Sequence, residues 1–514
     1  MSSARVIAGA GSVVPTEADV CLVVEGCYPY VAGGVANWLD WLMRSLPEVS
    51  FSVISVVADD RPMTWKYELP PNVIAFQDVP LTLRPDKPAR LPEPDLDLAR
   101  FQDLVCRAVG DGDFDAFSEL CTLVNAVPDR RPGRFAPEPA APTLMQLMNS
   151  RFAWAVMVAA YERLTPHASF PDFFWAWRSL VGGLYACLKA PILPAKAYHT
   201  ISTGYAGLLA ARAAVTTGRP AAITEHGIYT NERRIDLTMA EWIPDSIALS
   251  LGRIDDRVDL RQFWIRTFEA YAKLCYRACS RITTLYGENQ SFQTTLGAPR
   301  EKLEVIPNGI HMEKFAGLSR LPGRRPTVAL IGRVVPIKDI KTYIAAIGKL
   351  KASIPDVRAL LLGPTDEDPD YHEQCMQLVR ELGLEQTLEF TGKVNIADYL
   401  AQIDVVALTS ISEAQPLVLL EAGAAAIPCV TTDVGSCREI IEGLPEEEPR
   451  LGPAGKVVRP MDADETAEAL RELLADDELR RVCGERLRER VRLYFTSGAS
   501  SARYAALYRS LVAA

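Results

Sequence analysis

A chain of 514 residues is longer than one hydrophobic core ordinarily serves and has the natural size of two domains. Its 48% hydrophobic and 23% charged residues are an ordinary globular mix, and a net charge of −10 argues against a nucleic-acid-binding protein. No apolar run approaches the length that a membrane-spanning helix needs.

The first residues carry a single Arg5 and a short Ala/Gly/Val stretch, without the long apolar core of a signal peptide, and read as a loose leader. The G-A-G at Gly9 to Gly11 precedes the first strand rather than following one, so it does not fit a dinucleotide fingerprint. VCLVVEG predicts a strand, Tyr28 to Gly34 a turn, Ala36 to Leu46 a helix, and FSVISVVA a second strand. This β-loop-α-β order predicts a parallel doubly wound sheet. From about Leu96 to Cys187 the pattern is helical, with a Pro-rich break at Pro128 to Pro142, and reads as a helical insertion. The sheet resumes with AKAYHTI, a helix at Gly207 to Thr217, and AAITEHG. A long amphipathic segment, Val258 to Cys279, precedes the strand RITTLY; Gly287 to Leu296 predicts a helix, and KLEVIPNGI closes the first domain.

Leu318 to Arg325, with its Pro, Gly and basic residues, is the linker expected between the domains. TVALIG, RALLLG, TLEFTG, DVVALTS, PCVTTD and GKVV then predict a second doubly wound sheet. A terminal helix is expected over Ala499 to Val512, after a break at Thr496 to Gly498. The resulting division is an N-terminal domain over 1–318, with the insertion at 96–187, and a C-terminal domain over 319–495. The eleven cysteines form no C-x-x-C pair, and Cys275 and Cys279 share a helix face with no histidine cluster, so they read as buried thiols of a reducing, cytoplasmic compartment.

The most informative pattern is SEAQPLVLLEAG, in which Glu413 and Glu421 stand eight residues apart. Pro416 suits the first turn of a helix, where no helical hydrogen bond is lost. Glu413 then lies in the loop before the helix and Glu421 about a turn inside it. Leu417 and Val418 lie at the helix start, whose free N–H groups and dipole favour phosphate. Ionised carboxylates only accept hydrogen bonds, which suits sugar hydroxyls. About eighty residues earlier, Gly332 ends a strand and Arg333 and Lys338 follow it. Two cations on one strand-to-helix turn can neutralise a diphosphate. Each of these residues alone also reads as a surface charge; their ordered combination points to a nucleotide-sugar site.

Other positions carry two readings each. Gly33 and Gly34 let the backbone approach a phosphate or sugar, or serve a tight turn with positive φ. His226, directly after the strand AAIT, can hydrogen-bond a hexose hydroxyl, or a structural partner. Glu225, Tyr229, Glu232 and Arg233 read as an acceptor-side set, with Arg233 and Arg234 equally readable as surface cations, and His199, with Gly204 after it, is a supporting group. Asn308 and Gly309 read as a turn. Gly392 to Val394 shows only a glycine turn after TLEFTG. The acidic run Asp366, Glu367, Asp368 reads as helix capping rather than a metal site.

GRVVPIK together with EAQPLVLLEAG resembles the C-terminal domain of the retaining glycosyltransferases of family four, which have the GT-B fold: two Rossmann-like domains facing a cleft. EGCYPYVAGGVANW and TEHGIYTNERRID resemble the PelF-like subfamily of Pel exopolysaccharide assembly. The resemblance implies that the last helix, within 496–514, crosses back to the first domain, and that Gly33 and Gly34 lie over the donor diphosphate. It places His226 at the transferred sugar, and lets the backbone at Gly392 to Val394 meet the base. It also implies a UDP-sugar donor, UDP-glucose at family level, a growing exopolysaccharide as acceptor, and work at the inner face of a membrane complex. Glu421 would hold ribose and Glu413 the hexose, while Arg333 and Lys338 stabilise the leaving diphosphate, so no metal and no cofactor is expected. The leaving phosphate itself would take the acceptor's proton in a front-face attack. A nucleotide-sugar epimerase, a noncatalytic UDP-sugar-binding protein and a PLP-dependent glycan phosphorylase are the competing readings.

Overall fold

The computed structural model describes residues 16–82, 91–127, 140–239, 260–315 and 325–513. All but the last residue of the linker expected at 318–325, the N-terminal leader and most of the Pro-rich break lie outside them. The chain divides into two compact units: Met1–Thr284, Gln290–Glu304 and Ala505–Ala514 form the first, and Leu285–Asn289 with Val305–Tyr504 the second.

In the first unit β1 (Ala18–Glu25), β2 (Phe51–Asp59), β3 (Val73–Thr82), β4 (Ala195–Thr200), β5 (Ala221–Glu225), β6 (Arg281–Thr284) and β7 (Leu303–Val305) make one sheet in the order β3-β2-β1-β4-β5-β6-β7. The pairs from β3 to β6 are all parallel. β1 and β2 are near-continuous apolar runs because helices cover both faces of the sheet. β3 escapes the sequence reading. It contains Pro80, which offers no N–H to a ladder and is tolerated because β3 is the edge strand.

The helices of this part of the chain are α1 (Gly34–Ser45), α2 (Leu98–Asp111), α3 (Phe114–Leu123), α4 (Leu144–Asn149), α5 (Arg151–Leu164), α6 (Phe170–Lys189), α7 (Tyr205–Thr217), α8 (Tyr229–Met239), α9 (Leu260–Ala278) and α10 (Asn289–Thr295). α1 buries Trp38, Leu39, Leu42 and Met43, a helical spacing that turns one stripe to the sheet. The insertion, α2 to α6, is not a separate body: Phe101, Phe152, Phe173 and Leu180 share one hydrophobic core with Val23 and Ile54 of the sheet.

The second unit has β8 (Thr327–Ile331), β9 (Arg358–Leu362), β10 (Leu388–Gly392), β11 (Val405–Leu408), β12 (Cys429–Thr432) and β13 (Gly455–Val458), in the order β10-β9-β8-β11-β12-β13. Every neighbouring pair is parallel. This is the doubly wound order, and the switch point falls between β8 and β11. Its helices are α11 (Ile340–Ser353), α12 (Pro369–Glu381), α13 (Ala397–Leu400), α14 (Leu417–Ala424), α15 (Cys437–Glu442), α16 (Ala463–Ala475) and α17 (Asp477–Tyr494). The last helix, α18 (Ser497–Val512), begins two residues before the expected start.

Two glycines answer to close backbone approach. Gly309, read from sequence as part of a turn, lies against Thr496: a Cβ there would come within 2.2 Å of the Thr496 carbonyl. Ile310 N–H donates to Phe495 O at 2.9 Å and Ser497 N–H to Ile310 O at 2.9 Å, which fixes that approach. At Gly363 a Cβ would stand 1.9 Å from Gly332 O, in the turn that leads to Arg333. Gly363→Ala is therefore expected to destabilise the fold by about 2–4 kcal/mol, read as a lowered Tm. Gly498→Ala, whose added Cβ meets nothing within 4 Å, is the control and should leave Tm within a degree or two.

Candidate functional site

The carboxyl ends of β8 and β11 bring the sequence-predicted charges of the second unit together. Lys338, in a short 3-10 turn at Pro336–Lys338, places Nζ 2.5 Å from Glu413 Oε1. Ser410 Oγ, just past β11, donates to the same Oε1 at 2.6 Å. Among the described residues no donor is paired with Glu413 Oε2. The side chains of Lys338 and Glu413 are 23% and 13% exposed, so the pair is held in a partly dry setting yet reachable.

Several ties hold this pair in place. Thr409 Oγ1 donates to Lys338 O at 2.9 Å and to Asp339 O at 3.0 Å, and Ile411 N–H donates to Ile337 O at 2.9 Å. Asp339 adopts a left-handed conformation, φ 45° and ψ 54°, and caps α11 through its side chain. Few non-glycine residues adopt that conformation, and here it turns the chain from Lys338 into the helix. Gln415 Oε1 accepts from Asn308 N–H at 2.7 Å, tying the Glu413 loop to the segment before Gly309. Thr409 and Gln415 escaped the sequence reading because their links run between residues far apart in the chain, and Ser410 and Asp339 because their links, three residues long, are made by common polar residues that no local pattern marks.

Pro416 is the N-cap of α14 rather than part of its first turn, and no side chain caps that helix. α2, α3, α11, α12, α16 and α17 instead each begin on an aspartate that hydrogen-bonds the first turn. The start of α14 thus keeps amide donors open beside Glu413. Leu417 at its first position is 44% exposed, and Val418 is half-buried. Glu421, one turn in, has its carboxyl pushed up by burial, against the opposing pull of Lys314. Arg333 pairs with Glu367 at 2.5 Å, both well exposed, so the contact is a weak one that a stronger anion can replace. Asp368 caps α12 by accepting from Tyr371 N–H. Gly392 has φ +70° and its carbonyl accepts from Gly363 N–H at 3.0 Å, while Val394 packs at the edge of the apolar core.

The first unit assembles a second group at the carboxyl ends of β1, β4 and β5. Gly33 is the N-cap of α1 with φ 176°, extended backbone open to any residue, and α1 has no side-chain cap. An added Cβ at Gly33 or Gly34 would meet nothing within 4 Å. The positive-φ turn held out as an alternative is therefore not formed, and both glycines border open space. His226 packs edge-on against Trp38, with centroids 4.7 Å apart, and burial lowers its pKa to about 4, so the imidazole is neutral at pH 7. Its Nε2 is enclosed and unpartnered. His199 is held instead between Tyr508 Oη (2.7 Å from Nδ1) and Thr224 Oγ1 (2.8 Å from Nε2), with its pKa lowered to about 3 by burial and then by His226. That makes it a structural support.

Glu25 and Glu225 are both more engaged than the sequence indicates. Glu25 Oε2 accepts from Ala206 N–H at 3.1 Å at the start of α7, and Tyr229 Oη donates to its Oε1 at 3.3 Å. Glu225 Oε2 accepts from Tyr276 Oη at 2.6 Å and Gln293 Nε2 at 2.9 Å. Glu232 lies beside Gly227, and Arg233 stacks over Tyr229 at 5.4 Å and pairs with Asp236 at 2.8 Å.

The sequence-predicted polar groups of both doubly wound sheets thus fall at strand carboxyl ends, the edge at which ligands of such α/β sheets bind. The family described as Domain of unknown function (DUF3492) matches residues 18–301, and the chain belongs to it. Glycosyl transferases group 1 matches residues 313–490. N-acetyl-alpha-D-glucosaminyl L-malate synthase of Bacillus anthracis is 28% identical over 50% of this chain and 64% of its own length. Phosphatidyl-myo-inositol mannosyltransferase of Mycolicibacterium smegmatis is 34% identical over 37% of this chain and 47% of its own length. The chain thus spans less than two thirds of either relative. Among solved structures, Anabaena HepE in complex with UDP matches with a TM-score of 0.58 and 15% identity, covering 96% of this chain and 99% of that one. At that identity the likeness speaks for the fold, which is GT-B. No helix among the described residues is long and apolar enough to cross a membrane.

Burial raises the Glu225 pKa from 4.5 to about 7, although the Tyr276 and Gln293 bonds oppose the shift. Between those values the unfolded chain has already released a proton that the folded chain retains. Stability attached to Glu225 is therefore full below pH 4.5 and lost as pH rises through 7. Glu225→Gln keeps an acceptor for Tyr276 and Gln293 but removes the titration. Relative to the wild type, its unfolding free energy should gain on the order of 3 kcal/mol between pH 5 and pH 8, measured by denaturant titration at both values.

Proposed function

We propose that this chain is a retaining glycosyltransferase that moves a hexose from a UDP-sugar, UDP-glucose in the first instance, to a growing Pel-like exopolysaccharide. The observation that carries the reading is the Lys338–Glu413–Ser410 cluster at the β8/β11 switch point, beside the uncapped start of α14. A nucleotide-sugar offers each group a partner. The diphosphate meets the helix N-terminus, Lys338 and Arg333; hexose hydroxyls donate to Glu413, and ribose hydroxyls to Glu421. As the bond to phosphate lengthens, charge grows on the leaving diphosphate, where preorganised cations lower the barrier. The anomeric carbon gains oxocarbenium character, and the leaving phosphate accepts the acceptor's proton. The neutral imidazole of His226 is suited to a hydroxyl of the transferred sugar. Support also comes from the group 1 match and from HepE, a protein of the same fold solved with UDP. The PelF-like motifs Glu25 to Trp38 and Thr224 to Asp236 are the reason for naming exopolysaccharide as the acceptor, the cytoplasm as the place of action, and a membrane synthesis complex as the partner.

Lys338→Ala and Glu413→Ala should each lower kcat by about 10²–10³ with the far-UV spectrum unchanged. Near-normal turnover in either variant would remove that residue from the mechanism. A panel of sugar nucleotides, followed by UDP release with and without added polysaccharide, identifies the donor; conversion of the sugar nucleotide without acceptor would favour an epimerase. With Arg333, Lys338 and the helix dipole supplying positive charge, transfer should survive EDTA. Activity recovered only on adding Mg²⁺ or Mn²⁺ would reverse that expectation.

A further inference from the structure

The β1–α1 loop and the loop between β2 and β3 emerge side by side from the carboxyl edge of the first sheet, and they are stitched together. Lys66 N–H donates to Pro29 O at 2.8 Å and Tyr67 N–H to the same oxygen at 3.3 Å. Tyr67 Oη donates to Asn37 Oδ1 at 2.6 Å, and its ring lies on Tyr28 with centroids 5.1 Å apart. Arg44 Nη2 donates to Glu68 O at 2.8 Å. Trp65 packs on Phe76 at 5.0 Å and hydrogen-bonds Tyr30, whose hydroxyl is anchored on Asp78. The polar groups of both aromatic side chains are thus occupied by the protein, while Trp65 and Tyr67 stay only partly buried. Val31, 54% exposed, and Met63, 43% exposed, stand on the same two loops. Lys66 is exposed between the aromatics.

We infer that this double loop is a glycan-binding shelf, on which a pyranose of the acceptor chain stacks on Trp65 and Tyr67. A pyranose has one face of C–H groups and a rim of hydroxyls. An aromatic ring whose polar atom is already satisfied offers the apolar half, and Lys66 can serve the rim. A flexible loop would lose entropy on binding; this one is fixed beforehand. Val31 and Met63 add exposed apolar surface on the same two loops as the aromatic rings. This subsite rests on the glycosyltransferase reading, since it supplies the acceptor to that reaction.

The test separates the two. Binding of cellohexaose, chitohexaose and maltohexaose to the full chain is followed by calorimetry and by tryptophan fluorescence, independently of turnover. The wild type should bind at least one of them, and Trp65→Ala, Tyr67→Ala and the surface variant Met63→Asp should each weaken that binding at least tenfold. UDP affinity should stay within twofold in the same variants. In transfer assays the acceptor concentration for half-maximal rate should rise by the same factor. Met63→Asp guards against misfolding, because Met63 is exposed and lies outside the hydrophobic core. Failure of the wild type to bind any of the three glycans, or equal binding by all variants, overturns the shelf. Glycan binding lost in the variants, with no sugar nucleotide consumed by the wild type, would keep the shelf and overturn the transferase reading.

Discussion

The site depends on one charge pair, Lys338 with Glu413, set at the switch point of the second sheet. Two opposite charges only partly in water must be hydrogen-bonded to be tolerated. Ser410 completes the carboxylate oxygen, and Thr409 fixes the backbone from which the lysine extends. Such a pair contributes little to stability, since desolvation offsets much of the attraction. Its use is readiness. The lysine keeps two further N–H donors, and Glu413 Oε2 takes no hydrogen bond from the described residues. A ligand that carries both phosphate and hydroxyls can satisfy both groups without breaking the pair.

The sheets make that arrangement possible. In a parallel doubly wound sheet, loops at one edge carry function while apolar strands, buried on both faces, carry stability. β8, β9 and β10 are bound to one another by a ladder that continues past their ends: Gly332 N–H donates to Leu362 O, and Gly363 N–H to Gly392 O, both at 3.0 Å. The absence of side chains at Gly363 lets the Gly332 carbonyl pass within van der Waals reach, and so sets where Arg333 begins.

The strands were legible because most are runs of Val, Ile, Leu and Ala ended by glycine or a polar residue, and their alternation with helices gave the sheet class. The insertion, the second sheet and the E-x7-E pattern could be read in the same way. β3 could not, since Pro80 makes an edge strand look like a loop. Gly309 looked like a turn former because the reason for it, Thr496, lies far away in the chain. The positive-φ alternative for Gly33 fell because the residue is extended. Charged residues on strand-to-helix turns advertise themselves in sequence; Thr409, Ser410 and Gln415 do not. Thr409 and Gln415 act through a hydrogen bond to a distant residue and Ser410 through a short one to Glu413, and common polar residues leave no mark of either in a local pattern.

The two histidines show how burial sorts chemistry that sequence leaves level. Both end strands of the first sheet, and both are kept neutral by burial. His199 spends its two nitrogens on Tyr508 and Thr224, so it has nothing left to offer a ligand and serves to hold the chain's last helix residues to the sheet. His226 keeps Nε2 unpaired beside Trp38. A buried nitrogen without a partner costs free energy that a folded protein ordinarily avoids. Such a cost is borne where a further group completes the bond, and at His226 it falls at the strand edge where Gly33 and Gly34 leave the backbone bare.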